Sequence, residues 1–157
     1  MATPDFILTL REKIGNDLLW LTGVTAVVVR DEDVLLVERA DNGLVTPVTG
    51  IVDPGEEPAI TAVREVAEEA GIIAVAEALV AVKALDPMTY ANGDRAQYLD
   101  IVFRLRAEGG IPHPADGENT RTWWCPVKEL DAAGLNEDMR DRIRVALEHD
   151  GSARFSR

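Results

Sequence analysis

Apolar and polar positions along the chain follow two periods. The run Val24 to Arg30 is rich in β-branched residues. It is followed by the turn-like Asp31-Glu32-Asp33 and a second such run, Val34 to Glu38, which together predict a β-hairpin. Further strands are predicted over Ile73 to Leu85, apolar with Glu77 and Lys83 interspersed, over the alternating Gln97 to Arg106, and around Trp123-Trp124-Cys125. Between the first hairpin and Ile73, residues Ala59, Val63, Val66 and Ala70 recur three or four apart, which predicts a helix from about Glu57 to Ala70 with one apolar stripe. Pro126 to Leu130 reads as a short helical turn. Asn136 to His149 reads as a last helix, with Met139, Ile143, Ala146 and Leu147 at helical spacing. Residues 5–14 have no decisive period, and strand and helix both remain open there. The order of elements predicts an α/β fold, a mixed sheet with helices on both faces.

At 157 residues the chain fits one domain, spanning 1–157, with residues 1–22 as a packing or dimerising extension. No apolar run approaches the length needed to span a bilayer. The start, Met-Ala-Thr-Pro-Asp, lacks the basic and long apolar regions of a signal peptide, so a cytoplasmic protein is expected. The single cysteine, Cys125, rules out an internal disulfide and fits a reducing compartment. A formal charge of −12 disfavours nonspecific binding to nucleic acid or anionic membrane, since both need basic patches. It also disfavours a bare phosphate ligand, so a polyphosphate here needs a divalent cation to screen it.

The candidate chemistry lies between Gly50 and Ile72. Gly50 and Gly55 bracket a loop, Pro58 suits a helical first turn, and Gly71 falls where a left-handed cap belongs. Arg64, Glu65, Glu68 and Glu69 cluster on one side of that helix, away from the apolar stripe. Glu65 lies beside both Glu68 and Glu69, a repulsion that costs stability unless a cation fills the space, and hard oxygen donors suit Mg²⁺ or Mn²⁺. An acidic helix face is ordinarily just solvated surface. The wider spacing outweighs that reading: Gly50, five residues, Glu56, seven residues, Arg64-Glu65, an aliphatic, any residue, Glu68-Glu69, any residue, Gly71, an aliphatic. This segment resembles, without mismatch, the signature of the Nudix hydrolase superfamily, a coincidence expected on the order of once in a million in a chain of this composition.

The resemblance implies an α/β/α sandwich over nearly the whole chain and hydrolysis of a nucleoside diphosphate linked to another group. It implies catalytic Glu65, Glu68 and Glu69 holding Mg²⁺, or Mn²⁺, with help from the Gly50 carbonyl. Glu118 reaches across from six residues before Trp124 as a further ligand or base. Glu56 and Arg64 are implied as a supporting ion pair. A basic residue near Arg39 often meets substrate phosphate in such enzymes, while a surface role beside Glu38 and Asp41 is the alternative. ADP-ribose-cleaving relatives tend to carry a proline, and dinucleoside-polyphosphate relatives a tyrosine, where this chain has both Pro87 and Tyr90; Tyr90 is taken as the substrate-binding candidate. Many relatives carry Leu-Pro-Gly-Gly before the helix, where this chain has Thr46-Pro47-Val48-Thr49-Gly50. The expected partner is a small nucleotide, foremost a nucleoside triphosphate or modified dNTP, then ADP-ribose or a nucleotide sugar, with a homodimer as an open assembly. A non-catalytic nucleotide sensor is the reading from another class, which the intact glutamates oppose. Isoprenoid diphosphate isomerisation needs an active-site cysteine, and Cys125 in an apolar strand gives it little support.

Overall fold

Residues that are β-branched on both parities of one strand can be buried only if both faces of its sheet are covered, and that condition organises this chain. The computed structural model describes residues 3–156. Strand β1 (Leu19–Arg30) buries Val24, Ala26 and Val28 on one face and Val27 and Val29 on the other. It turns through Asp31, at φ 53°, into β2 (Asp33–Arg39). After the short β3 (Val45–Thr46) and β4 (Val48–Ile51) comes helix α2 (Pro58–Ala70), then β5 (Ile72–Ala84), β6 (Met88–Thr89), β7 (Arg95–Gly110) and β8 (Asn119–Pro126). A 3₁₀ turn (Val127–Ala132) and helix α3 (Glu137–Leu147) follow, and helix α1 (Asp5–Ile14) precedes β1.

The eight-stranded sheet has the order β3-β2-β1-β7-β5, with β4 on β1, β6 on β7 and β8 on β2. It is mixed: β1 runs parallel to β7 from Leu19↔Ala96 to Val29↔Arg106 and antiparallel to β2 and β4. On one face α2 lays Ala62, Val66 and Ala70 over Val24, Val28, Leu35, Val37 and Leu105. On the other, α3 lays Ile143 and Ala146 over Val27, Leu36, Val80 and Val102. This is a sandwich of helices around a mixed sheet.

Residues 5–14 resolve as a helix that buries only Ile7, against Leu21, Ala96 and Tyr98. Strand β7 runs past Arg106 to Gly110 because β5 pairs with it that far, Ile72 against Gly110. Between α1 and α3 the sheet face carries a buried polar cluster. Asp100 of β7 accepts from Thr25 Oγ1 at 2.9 Å, and Arg142 Nη1 of α3 lies 3.0 Å from Asp100 Oδ2 and donates to Thr25 Oγ1 at 2.8 Å. Burial raises the Asp100 carboxyl above its ordinary value, against the pull of Arg142. Among the described residues no helix is long and apolar enough to cross a membrane.

Candidate functional site

Helix α2 starts at Pro58, whose missing N–H costs nothing in the first turn, and stops at Gly71, at φ 67°. Among the described residues its N-cap, Glu57, makes no side-chain capping bond. The preceding loop is tied down instead by Glu56, whose carboxylate takes Arg64 Nε at 2.9 Å, Arg64 Nη2 at 3.0 Å and the Thr61 hydroxyl at 2.7 Å. This two-pronged Arg contact holds the Glu56 carboxyl down at about 2. The remaining prong, Arg64 Nη1, donates to Glu65 Oε1 at 3.1 Å and Glu68 Oε2 at 2.9 Å.

The glutamates do not share one solvated face. Glu65 and Glu69 are 3% and 1% exposed, whereas the Glu68 side chain is 55% exposed. Thr61, Glu65 and Glu69 form a buried row beside the apolar row Ala62, Val66 and Ala70, so the helix is covered over more of its circumference than its apolar stripe indicates. Ala59 and Val63 of that stripe are only partly buried. Burial pushes the Glu65 carboxyl up to about 7 despite Arg64, with Glu69 adding to the rise. Burial also raises Glu69, opposed by the hydrogen bond from Asn119 and by Arg39.

Gly50 of β4 lies directly over Glu65. A Cβ there would fall 2.3 Å from Glu65 Cγ and 2.7 Å from Oε1, so only glycine lets the backbone and carboxylate meet. Across from them, a cavity of about 450 Å³ is lined by Asp53, Arg64, Glu65, Glu68, Asp116 and Glu118 among others. Among the described residues no three acidic, His or Cys side chains already stand in a metal-holding arrangement. The donor set nevertheless fits a hard divalent cation: carboxylate oxygens, one carboxyl raised by burial, and a glycine cradle that keeps the main chain close to it.

A family model described as the NUDIX domain matches residues 20–146. The chain belongs to the Nudix family. Members of the family act on phosphoric anhydride bonds. The chain is 35% identical over 86 residues, 53% of its own length and 46% of the other's, to an uncharacterised Nudix hydrolase, orf19, of Rhodococcus erythropolis. It is 33% identical over 104 residues, 66% of its own length and 62% of the other's, to a MutT-like protein of Streptomyces ambofaciens. Each match spans less than two thirds of the relative's length. The structure resembles a Nudix hydrolase from Nitrosomonas europaea at TM-score 0.66 and 27% identity, covering 81% of this chain and 88% of that one.

In this Nudix chain Arg39 lies next to the Glu118 segment, where Ala40 N donates to Glu118 O at 2.8 Å and Arg39 pairs with Asn119 in the ladder. Its guanidinium grips Asp41 at 3.0 and 3.1 Å, and the charges of Asp41 and Glu69 hold it above its ordinary value against burial. Tyr90 is half-exposed, shares a hydrogen bond of 2.7 Å between hydroxyls with Tyr98, and sits in a turn that folds back on β7. The Val48-Thr49 departure is part of strand β4, paired with Ala26 and Thr25, and Val48 is fully buried. Cys125 lies buried in the core, and burial raises its thiol.

Sequence reasoning gave no part to Asp53, Asp116, Asn119 or His113. The loop from Ile111 to Glu118 closes over the C-terminal end of α2: His113 N donates to Ala70 O at 3.1 Å and Ala115 N to Glu69 O at 3.2 Å, satisfying carbonyls the helix leaves open. Asp116 Oδ1 accepts from Glu118 N at 3.0 Å. The Asp116-Gly117 pair is the one sequence signal for this turn.

Proposed function

We propose that this chain hydrolyses a nucleoside triphosphate, or a modified dNTP, to the monophosphate and pyrophosphate with Mg²⁺ or Mn²⁺. The observation that carries the reading is the buried Glu65 of α2, which lines one cavity together with Glu68, Asp116 and Glu118, with the buried Glu69 one turn further along the same helix. Such a cavity repels a polyphosphate unless cations join the two.

Glu65, Glu68, Glu69 and Glu118, with the Gly50 carbonyl, would hold the metal. When bound, it supplies neutralisation of phosphate charge and polarisation of the bridging oxygen. The chain's own residues do the rest. The Glu56–Arg64 fork fixes the loop that leads from the Gly50 strand to the helix that presents the glutamates. Glu118 or an α2 glutamate accepts the proton of the attacking water, one P–O bond forms, the P–O–P bridge breaks, and pyrophosphate leaves. Arg39, once its fork leaves Asp41, is the candidate for a phosphate oxygen, and the Tyr90 ring is the candidate to stack on a base.

The test is a screen of the purified chain with Mg²⁺ against nucleoside triphosphates, oxidised dNTPs, ADP-ribose, nucleotide sugars and dinucleoside polyphosphates, with products identified by mass. Monophosphate plus pyrophosphate from a triphosphate is the expected outcome. Cleavage of ADP-ribose alone replaces the substrate, and inertness toward the whole panel replaces the enzyme reading with that of a nucleotide sensor.

A further inference from the structure

Asn119 follows Glu118 directly and is 5% exposed. Its Nδ2 donates to Glu69 Oε2 at 3.2 Å. The same short loop holds the main chain of the same glutamate, through Ala115 N on Glu69 O. Glu69 is therefore gripped at both its carbonyl and its carboxylate by the segment that carries Glu118. That segment is itself fixed, by Asp116 Oδ1 on Glu118 N and by Ala40 N on Glu118 O. The register shift between Glu38 and Arg39 is what brings Asn119 opposite Arg39 at the start of β8.

The geometry points to Asn119 as a positioning residue that locks the Glu69 carboxylate to the Glu118 loop, so that α2 and that loop keep one spacing. The inference rests on the reading that Glu69 and Glu118 serve a divalent cation. An amide suits this place for three reasons. It donates to an ionised carboxylate and favours that state. It brings no positive charge to compete with a cation, as Lys or Arg would, and no negative charge to add to Glu65, Glu69 and Asp116. Its far atom, Oδ1, is buried without a partner among the described residues, which leaves an acceptor for a water or a substrate donor. The amide orientation follows from the bond in which Nδ2 meets a carboxylate oxygen; against an ionised Glu69 the reverse would press two acceptors together. Partners of this kind, one bond behind a ligand, are worth 10- to 100-fold in metal affinity or activity.

The experiment compares wild type, Asn119→Leu, Asn119→Asp and the exposed neighbour Thr120→Ala. Mn²⁺ binding to the substrate-free protein is read by electron paramagnetic resonance, thermal melting reports folding, and kcat and KM are measured on the substrate found. Asn119→Leu keeps the branching of the side chain and loses the bond, and Asn119→Asp sets acceptor against acceptor. Both are expected to bind Mn²⁺ about 10- to 100-fold more weakly and to lose kcat by a similar factor with KM nearly unchanged, while Thr120→Ala matches wild type. A folded Asn119→Leu with Mn²⁺ affinity and kcat within about twofold of wild type overturns the inference and leaves the proposed function standing. A wild-type chain that binds no Mn²⁺ overturns the metal reading, and this inference with it. Should the variants fail to fold, the Asn119 side-chain amide resonance of the wild type, followed through a Mg²⁺ titration, must shift; if it stays still, Asn119 does not act on the site.

Discussion

Glu65 and Glu69 place ionisable groups where an ordinary helix would place alanine, and that placement is stable only if something repays the lost hydration. Replacing Glu69 by Gln keeps the shape and the acceptor toward Asn119 while removing the charge. Glu68→Gln does the same at the exposed position. Both are expected to lower turnover by two or more orders of magnitude with unchanged melting temperature, as measured by single-turnover kinetics beside a melting curve. Wild-type turnover with unaltered metal dependence in both variants sinks the assignment. A second prediction concerns Glu56, whose carboxyl falls from 4.5 to about 2 in the fold. A depressed acid adds stability that is complete above 4.5 and is lost as pH drops through about 2. In metal-free protein, Glu56→Gln should therefore cost about 1–2 kcal/mol at neutral pH, once solvent screening at half-covered Arg64 is allowed for. The gap to wild type should close toward pH 2, as read from urea unfolding at stepped pH. The identities of these residues were legible in the spacing of Gly50, Glu56, Arg64 and the glutamates. Their burial was not, because a charged residue in a sequence carries no mark of which neighbours will cover it. Asn119 was invisible for the same reason: its role depends on a contact to a residue 50 positions away.

At the scale of elements, α2 was legible from end to end because both its stops are local chemistry, a proline at the start and a glycine at the end. Helix α1 was not, since only Ile7 is buried and its remaining apolar residues carry no full stripe. The length of β7, predicted only to Arg106, was hidden by Gly109 and Gly110, residues that weaken a strand signal but are held in the ladder by Ile73 and Ile72. Gly71 joins the two questions. Its left-handed φ disfavours any side chain, and a Cβ there would also fall 2.1 Å from the His113 ring. Gly71→Ala is thus expected to destabilise the chain by more than the ~1 kcal/mol of a simple cap and to free the Glu118 loop. Hydrogen exchange should show faster exchange at His113 and Ala115, the two amides that close the helix. Unchanged protection at both would mean that the loop holds its place without the glycine.

For the whole molecule, the two-faced burial of β1 and the order of elements made the sandwich legible, while the polar cluster inside it was not. Arg142 and Asp100 are each nearly covered, and Thr25 completes the contact. Removing one charge strands the other. Arg142→Met is expected to cost about 3–5 kcal/mol in urea unfolding, and the double change Asp100→Leu with Arg142→Met should recover most of it. Equal loss in the single and double variants would show that volume, rather than charge, decides the site.

The parallel ladder between β1 and β7 has a consequence in time as well as in space. Thr25 and Asp100, joined across it by their side chains, are 75 residues apart in sequence, and β2 and helix α2 both lie in the loop that this contact must close. Closing so long a loop is slow compared with forming a hairpin or a helix. During refolding, helical signal should therefore return in an early phase, while the proposed hydrolytic activity waits for a later one. Until β7 joins β1, the segment bearing Glu118 has no fixed place from which to meet the glutamates of α2, and the chain passes through a stage that has its signature helix but no enzyme.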